Sequence, residues 1–381
     1  MTTRSLNRRD LLKAAGLAAG AGVLGLTPGG NARAAQSGKP AIKVAGYDYD
    51  RCRAIIDGDA GIAGHDVSFH FEDIYSVNAL AFGEKKTYEV TEIGLIPFIN
   101  KFINEGFRDY TLVPVFISRI FRHRNVFVHA DSGIEKPEDL RGKRVGTPGY
   151  GMSANTWIRG FLLDEYGVAA DDFEWIETTK SSDAGKLGGS GWSAFRNGKL
   201  GYYFPDGFPI RQGPAGVDES ELLLTGGCDA LITAITPKAF LEGNPKIKRL
   251  FPDVRAAEQA YYKKSRMFPI MHAIAIRNDV AKAHPELPAA VFHMYSKAKR
   301  AAYAKLETTT SLRVTLPWVT QELEATRAVM GDDYWSYGIG PNRKELEHIM
   351  RYVHEQHLVK KRVSFADLFH PSTLELIEKQ P

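Results

Sequence analysis

Arg144-Val145-Gly146-Thr147-Pro148-Gly149-Tyr150-Gly151-Met152-Ser153 is the stretch on which the fold turns. A β-type run ends at Val145-Gly146, a Gly- and Pro-containing loop covers Thr147 to Gly151, and Ser153 starts a helix that runs to about Tyr166. Strand, tight loop and helix in that order make a βα unit. The loop therefore lies at a helix N-terminus, where unsatisfied N–H groups point outward and favour an anion.

On the N-terminal side the same alternation recurs. Ile42 to Gly46 reads as a strand, Tyr47-Asp48-Tyr49-Asp50-Arg51 as a polar, aromatic turn into a helix, and Val67 to Phe71 as an alternating strand. Tyr88 to Ile93, Leu112 to Phe116 and Asn125 to His129 are further strands, and Pro97 to Glu105 is a helix closed by Gly106. On the C-terminal side, Asp229 to Ile232 and Met271 to Ile276 read as strands, and from Asp279 onward the chain is mainly helical, with Lys297 to Leu306, Gln321 to Met330 and Arg343 to His357. Such alternation predicts α/β layers. Residues 181–218 interrupt it with nine glycines and Tyr202-Tyr203-Phe204-Pro205-Asp206, the composition of a flap or an unstructured insertion.

The N-terminus has a different logic. Asn7-Arg8-Arg9-Asp10-Leu11-Leu12-Lys13 precedes a weakly apolar stretch from Ala14 to Leu26, then Pro28-Gly29-Gly30 and the small-x-small pattern Ala32-Arg33-Ala34. That order predicts a twin-arginine signal peptide over residues 1–34, cut after Ala34 and handled by the Tat translocase, and a periplasmic mature protein. Gly20-Ala21-Gly22-Val23-Leu24-Gly25 fits G-x-G-x-x-G, but no strand precedes it, so it carries no dinucleotide reading. Residues 1–34 hold five basic residues and one acid; without them the 49 basic and 45 acidic residues become 44 and 44. The basicity belongs to the signal, which removes nucleic acid as a partner class. No run of eighteen apolar residues occurs, so stable membrane insertion is not expected. About 347 residues remain, enough for two domains. Cys52 and Cys228 could form a single bridge in an oxidising compartment, but they fall in different expected lobes and read rather as two unpaired, mostly buried thiols.

The segments Gly46 to Arg51, Pro114 to His123, Trp157 to Gly160, Leu250 to Asp253, Phe268 to His272 and Met330 to Trp335 resemble 4,5-dihydroxyphthalate decarboxylases, and the resemblance spans nearly the whole chain after residue 34. It implies the α/β, two-lobed fold of type II periplasmic binding proteins, with a ligand cleft between lobes. By that analogy residues 41–136 plus 268–381 form lobe 1 and residues 137–267 form lobe 2, carrying the Gly-rich insertion. Two functions follow. Export places first an extracytoplasmic solute-binding protein that captures a phthalate- or hydroxybenzoate-type carboxylate for an ABC-type importer and its permease. The motifs place beside it a carboxy-lyase that removes CO2 from a dihydroxylated aromatic dicarboxylate, because one scaffold can host either role.

A cleft for an aromatic carboxylate needs cations or oriented N–H donors for the anion and aromatic walls for the ring. Ser118, Arg119, Arg122 and His123 cluster at a strand end, Asp48 and Arg51 follow the first strand, and the helix N-terminus supplies Tyr150, Ser153, Trp157 and Arg159. Apart from His123, these are the expected ligand-binding residues, although Trp157 and Arg159, two apart on a helix, cannot share one face. In the enzyme reading His123 or His272 supplies the proton that replaces the carboxylate. His354-Glu355-Gln356-His357 is one residue short of the zinc motif H-E-x-x-H, so no metal site is expected there, and nothing after Ala34 calls for a cofactor.

Overall fold

The computed structural model describes residues 39–180, 195–196, 199–200 and 203–378. The expected signal peptide and much of the Gly-rich insertion lie outside the described residues. Pro40 to Pro381 forms one compact unit.

Two sheets organise it. The first has the order β2-β1-β3-β13-β4, from Ala41–Gly46 (β1), Asp66–Phe71 (β2), Val90–Gly94 (β3), Tyr110–Arg119 (β4) and Ile270–Arg277 (β13). β1 runs parallel to β2 and β3, whereas β13 is antiparallel to β3 and β4. The second has the order β10-β7-β6-β11-β5-β12, from Val126–His129 (β5), Arg144–Thr147 (β6), Glu174–Glu177 (β7), Ile210–Gln212 (β10), Ala230–Ile232 (β11) and Ile247–Arg249 (β12). A separate hairpin pairs Phe195–Arg196 (β8) with Lys199–Leu200 (β9). The fold is thus α/β with two lobes, each built on its own sheet.

The lobe boundary differs from the expectation. β5 pairs antiparallel with β11 and β12, so it belongs to the second sheet although it precedes residue 137. The chain leaves the first sheet at Arg119 and returns at Ile270, and the backbone hydrogen bonds of β5 lie entirely in the second sheet. A strand's type is local, but its sheet is set by partners a hundred residues away.

The insertion also contains ordered structure. β10 extends the second sheet beside β7, and Phe204 stacks on Phe208 at 4.3 Å, both rings edge-on to Tyr150.

The lobes share a core. The helix Ser153–Tyr166 starts as expected, and its residues from Ser153 to Leu162 are all buried. It packs on the helices Leu95–Asn104 and Arg343–Glu355 within one apolar cluster that draws on both lobes. A Cβ at Gly160 would lie 2.3 Å from the Tyr352 ring, so only glycine lets these helices approach so closely. On the other face of the first sheet, Val44, Val113, Val115 and Ile274 pack under the helix Leu287–Leu306. Cys52 and Cys228 are buried free thiols. No helix among the described residues is long and apolar enough to cross a membrane.

Candidate functional site

β1 and β3 run in parallel and bring the turn at Tyr47 and the start of the helix Leu95–Asn104 to one end of the first sheet. β13 begins there, with His272 registered between Gly94 of β3 and Ser118 of β4, and the β13/β4 register shifts on both sides of His272. Such irregularities re-aim a side chain out of the regular pleat. Here His272 joins the wall of a cavity of about 220 Å³. The remaining wall combines the first lobe (Tyr47, Tyr75, Asn78), the crossover (Arg122) and the second lobe (Met152, Ser153, Ala234, Ile235). The pocket is therefore interlobe.

One wall is backed by a histidine–carboxylate pair, of which His272 alone lines the cavity. His272 Nδ1 lies 2.6 Å from Oε1 of Glu92, which is 1% exposed. A carboxylate only accepts, so Nδ1 carries the proton and Nε2 is left for a ligand. Tyr49 donates its hydroxyl to Glu92 Oε1 at 2.9 Å, and the Tyr47 amide donates to Oε2 at 3.3 Å. A Cβ at Gly46 would stand 3.0 Å from Oε2, so the glycine makes room for the buried carboxylate. Burial, the nearby Glu92 charge and the Glu92 bond push the Tyr49 phenol far up, so it stays a donor. Burial similarly raises Tyr47 to about 12, and its hydroxyl accepts from the Ile74 amide at 2.8 Å.

Arg122 supplies the cation. Its guanidinium donates to the Ala234 carbonyl at 3.2 Å and the Asn125 side chain at 3.3 Å, and no carboxylate among the described residues pairs with it. Burial, then repulsion from Arg124, lower it to about 10, leaving it charged at neutral pH. Asn78, 5% exposed, uses Oδ1 to accept from the Gly94 amide, while its buried Nδ2 has no partner. A buried donor without an acceptor costs about 1–3 kcal/mol, which a ligand oxygen would recover. Ile74, Pro97, Met152, Ala234, Ile235 and Met271 make the rest of the lining largely apolar.

Of the residues expected from sequence, the structure gathers Arg122, Ser153 and His272 at this pocket. Ser118 is registered beside His272 on β4 but does not line the pocket. Arg51 does not line the pocket: its Nε donates to the Ile117 carbonyl and its guanidinium lies 3.9 Å from the Tyr49 ring and 4.2 Å from that of Trp335. Asp48 is exposed, 3.7 Å from Arg53.

The others lie outside this pocket's lining. Arg119 is 2% exposed, paired with Glu345 at 2.9 Å and bonded to Asn342 and the Phe268 carbonyl, so its donors are spent on tying β4 to the C-terminal helix. His123 is 1% exposed, stacked on Phe161 at 4.2 Å with Phe251 and Tyr261 around it. Desolvation lowers it to about 4, so it is neutral and walled off from the pocket. Trp157 donates to the Ile270 carbonyl at 2.8 Å, and Arg159 binds Gln356 and the Tyr150 carbonyl and covers the Tyr150 ring. Tyr150 has no exposed surface and packs against Trp175. Two residues cannot share one helix face, yet both Trp157 and Arg159 are buried because this helix is enclosed all round. Its first turn reaches the pocket through Met152, Ser153 and Ala154.

The sequence reading missed Glu92 and Asn78. The signal for Glu92 was present: a single acid inside the strand Val90-Thr91-Glu92-Ile93-Gly94, buried along its whole length, needs a partner.

The family described as NMT1/THI5 like matches residues 115–190. A 4,5-dihydroxyphthalate decarboxylase from Comamonas testosteroni is 36% identical over 334 residues, covering 88% of this chain and 97% of that protein. A second, from Pseudomonas putida, is 32% identical over 222 residues, covering 58% and 81%. Among solved structures, the periplasmic aliphatic sulphonate binding protein SsuA from Escherichia coli aligns with a TM-score of 0.47 at 12% identity, over 87% of this chain and 97% of that one.

Proposed function

The chain belongs to the 4,5-dihydroxyphthalate decarboxylase family, and on that premise we propose that its interlobe pocket is a carboxy-lyase site for an electron-rich, hydroxylated aromatic carboxylate. One observation carries the reading: a histidine held by a buried glutamate opens into the same apolar cavity as a guanidinium free of carboxylates. A pocket that only captured an anion would be served by Arg122 and Asn78. The Glu92–His272 pair adds a group able to move a proton.

The chemistry follows from those parts. Ring hydroxyls make the carbon bearing the carboxylate basic enough to accept a proton. In this mechanism His272 acts as the doubly protonated imidazolium: it gives the Nε2 proton and keeps the one on Nδ1, where Glu92 stabilises the charged ring before transfer. The bond from ring to carboxylate then breaks, its electron pair restores the aromatic ring, and CO2 leaves. His272 regains its proton from solvent. Arg122 and Asn78 hold carboxylate or hydroxyl oxygens. The methionine and aliphatic walls exclude water from a carboxylate whose charge must disperse as the bond breaks.

A second reading is favoured by the N-terminus, where Arg8-Arg9 and Ala32-Arg33-Ala34 suit an exported receptor serving an ABC-type importer. One experiment separates the two. The purified chain is incubated with 4,5-dihydroxyphthalate and with dihydroxybenzoates, following products by chromatography and binding by calorimetry. Turnover lost in His272→Gln with binding retained supports the lyase. Stoichiometric binding without turnover supports the receptor.

A further inference from the structure

At the opposite end of the first sheet a second group of side chains converges. We propose that His65, His284 and Glu286 bind a divalent transition metal ion of the zinc type. One ligand atom from each lies within 4.8 Å of the others, although the residues come from the turn ahead of β2 and from the segment after the helix Asn278–Ala283.

The histidine geometry favours a metal over a chance cluster. His65 Nδ1 lies 3.2 Å from the Ala63 carbonyl oxygen, which can only accept, so Nδ1 holds the proton and the lone pair is on Nε2. That Nε2 is buried and has no hydrogen-bond partner. A backbone carbonyl fixing one imidazole nitrogen so that the other can ligate is the usual outer support of a metal-binding histidine. The His284 ring meets His65 edge-to-face at 5.8 Å, and its Nδ1 is 3.6 Å from Glu286 Oε1. Two imidazoles and a carboxylate suit zinc at roughly 2.0–2.2 Å per ligand, with the fourth position left to water. Drawing the atoms into that shell takes only side-chain rotation, because the His284 side chain is 43% exposed and that of Glu286 64%.

Placement defines the role. Asp66, directly after His65, pairs with Ala41 at the start of β1, whereas Tyr47 follows the end of β1 at the pocket. Six residues of strand separate the two sites by about 20 Å. β2 is the edge of its sheet, and the metal fastens the turn leading into it to the segment beyond β13. It acts as a clasp on the fold and takes no part in the reaction.

The test uses the full chain, stripped by a chelator and titrated with zinc in a calorimeter, with melting followed in parallel. Roughly one equivalent should bind and raise the melting temperature. His65→Gln and His284→Gln should each weaken uptake at least about tenfold, while His354→Gln, in the unrelated histidine group, leaves it unchanged. Glu286→Gln, on an exposed side chain, gives an intermediate loss in a chain whose fold is undisturbed. Absence of uptake by the wild-type chain, or uptake in the His65 and His284 variants equal to wild type, overturns the proposal. Activity at the interlobe pocket should be the same with and without zinc, so failure here is distinguishable from failure of the lyase reading.

Discussion

Glu92→Gln is the most informative single change at the pocket. Glutamine matches glutamate in size, so the 1% exposed site remains filled. What changes is the acceptor count. Three donors converge on the carboxylate: His272 Nδ1 at 2.6 Å, the Tyr49 hydroxyl at 2.9 Å and the Tyr47 amide at 3.3 Å. A carboxamide offers one oxygen and one NH2. If its oxygen faces His272 and Tyr49, the NH2 meets the Tyr47 N–H; if it flips, the NH2 meets the Tyr49 hydroxyl and His272. Either way a buried donor is unsatisfied, which costs about 1–3 kcal/mol of stability. The charge-assisted bond to His272 becomes a neutral one, a loss of about 1–2 kcal/mol in stabilising the charged imidazole. At 1.36 kcal/mol per factor of ten, kcat should fall by about 5- to 30-fold. KM should barely change, because Arg122 and Asn78 still hold the substrate. The assay is initial-rate CO2 release from a dihydroxylated benzoate, on protein shown by thermal melting to be folded. A kcat within about twofold of wild type would refute the assignment of proton transfer to this pair. A rise in KM alone would make Glu92 a binding group.

Other outcomes follow from the same geometry. Arg122→Met removes the pocket's guanidinium, so KM should rise by about 10- to 150-fold, the equivalent of 1.5–3 kcal/mol for a bond to a charged group, with Arg122→Lys recovering part of it; unchanged saturation kinetics would place the anion elsewhere. Arg119→Met strands the buried Glu345 carboxylate, so urea denaturation should register a loss of about 3–5 kcal/mol while KM holds. His123 titrates near 4 when folded and near 6.5 when unfolded, so between those values the unfolded chain binds more protons. Its contribution to stability is complete above about pH 6.5 and declines by up to about 3 kcal/mol as pH falls toward 4. His123→Phe should flatten that slope in urea titrations at pH 5 and pH 7.5 and leave turnover intact.

How much of this was legible depended on whether the cause was local. The strand ending at Val145-Gly146 and the helix from Ser153 to Tyr166 could be read closely because loop chemistry and apolar periodicity act over a few residues. Arg119, Arg122 and Arg124 show the limit. They fall within six consecutive positions at the exit from β4, and sequence offers no way to rank them, yet their fates diverge. Arg119 is still in the strand and meets Glu345, 226 residues onward, which neutralises it inside the scaffold. Arg122, in the crossover, faces the interlobe pocket with no carboxylate partner, and Arg124 is exposed. The sorting comes from what packs against each guanidinium, and those partners lie in distant segments. His272 and Glu92 follow the same rule at a separation of 180 residues. The sequence evidence for them is energetic: an acid within the buried strand Val90–Gly94 is stable only if donors compensate it. Burial of an acid is therefore the better pointer to a site than clustering of cations, because a surface arginine costs nothing and a buried carboxylate obliges the fold to build donors around it. Here those donors are Tyr49, the Tyr47 amide and His272, and the last of them opens into the pocket.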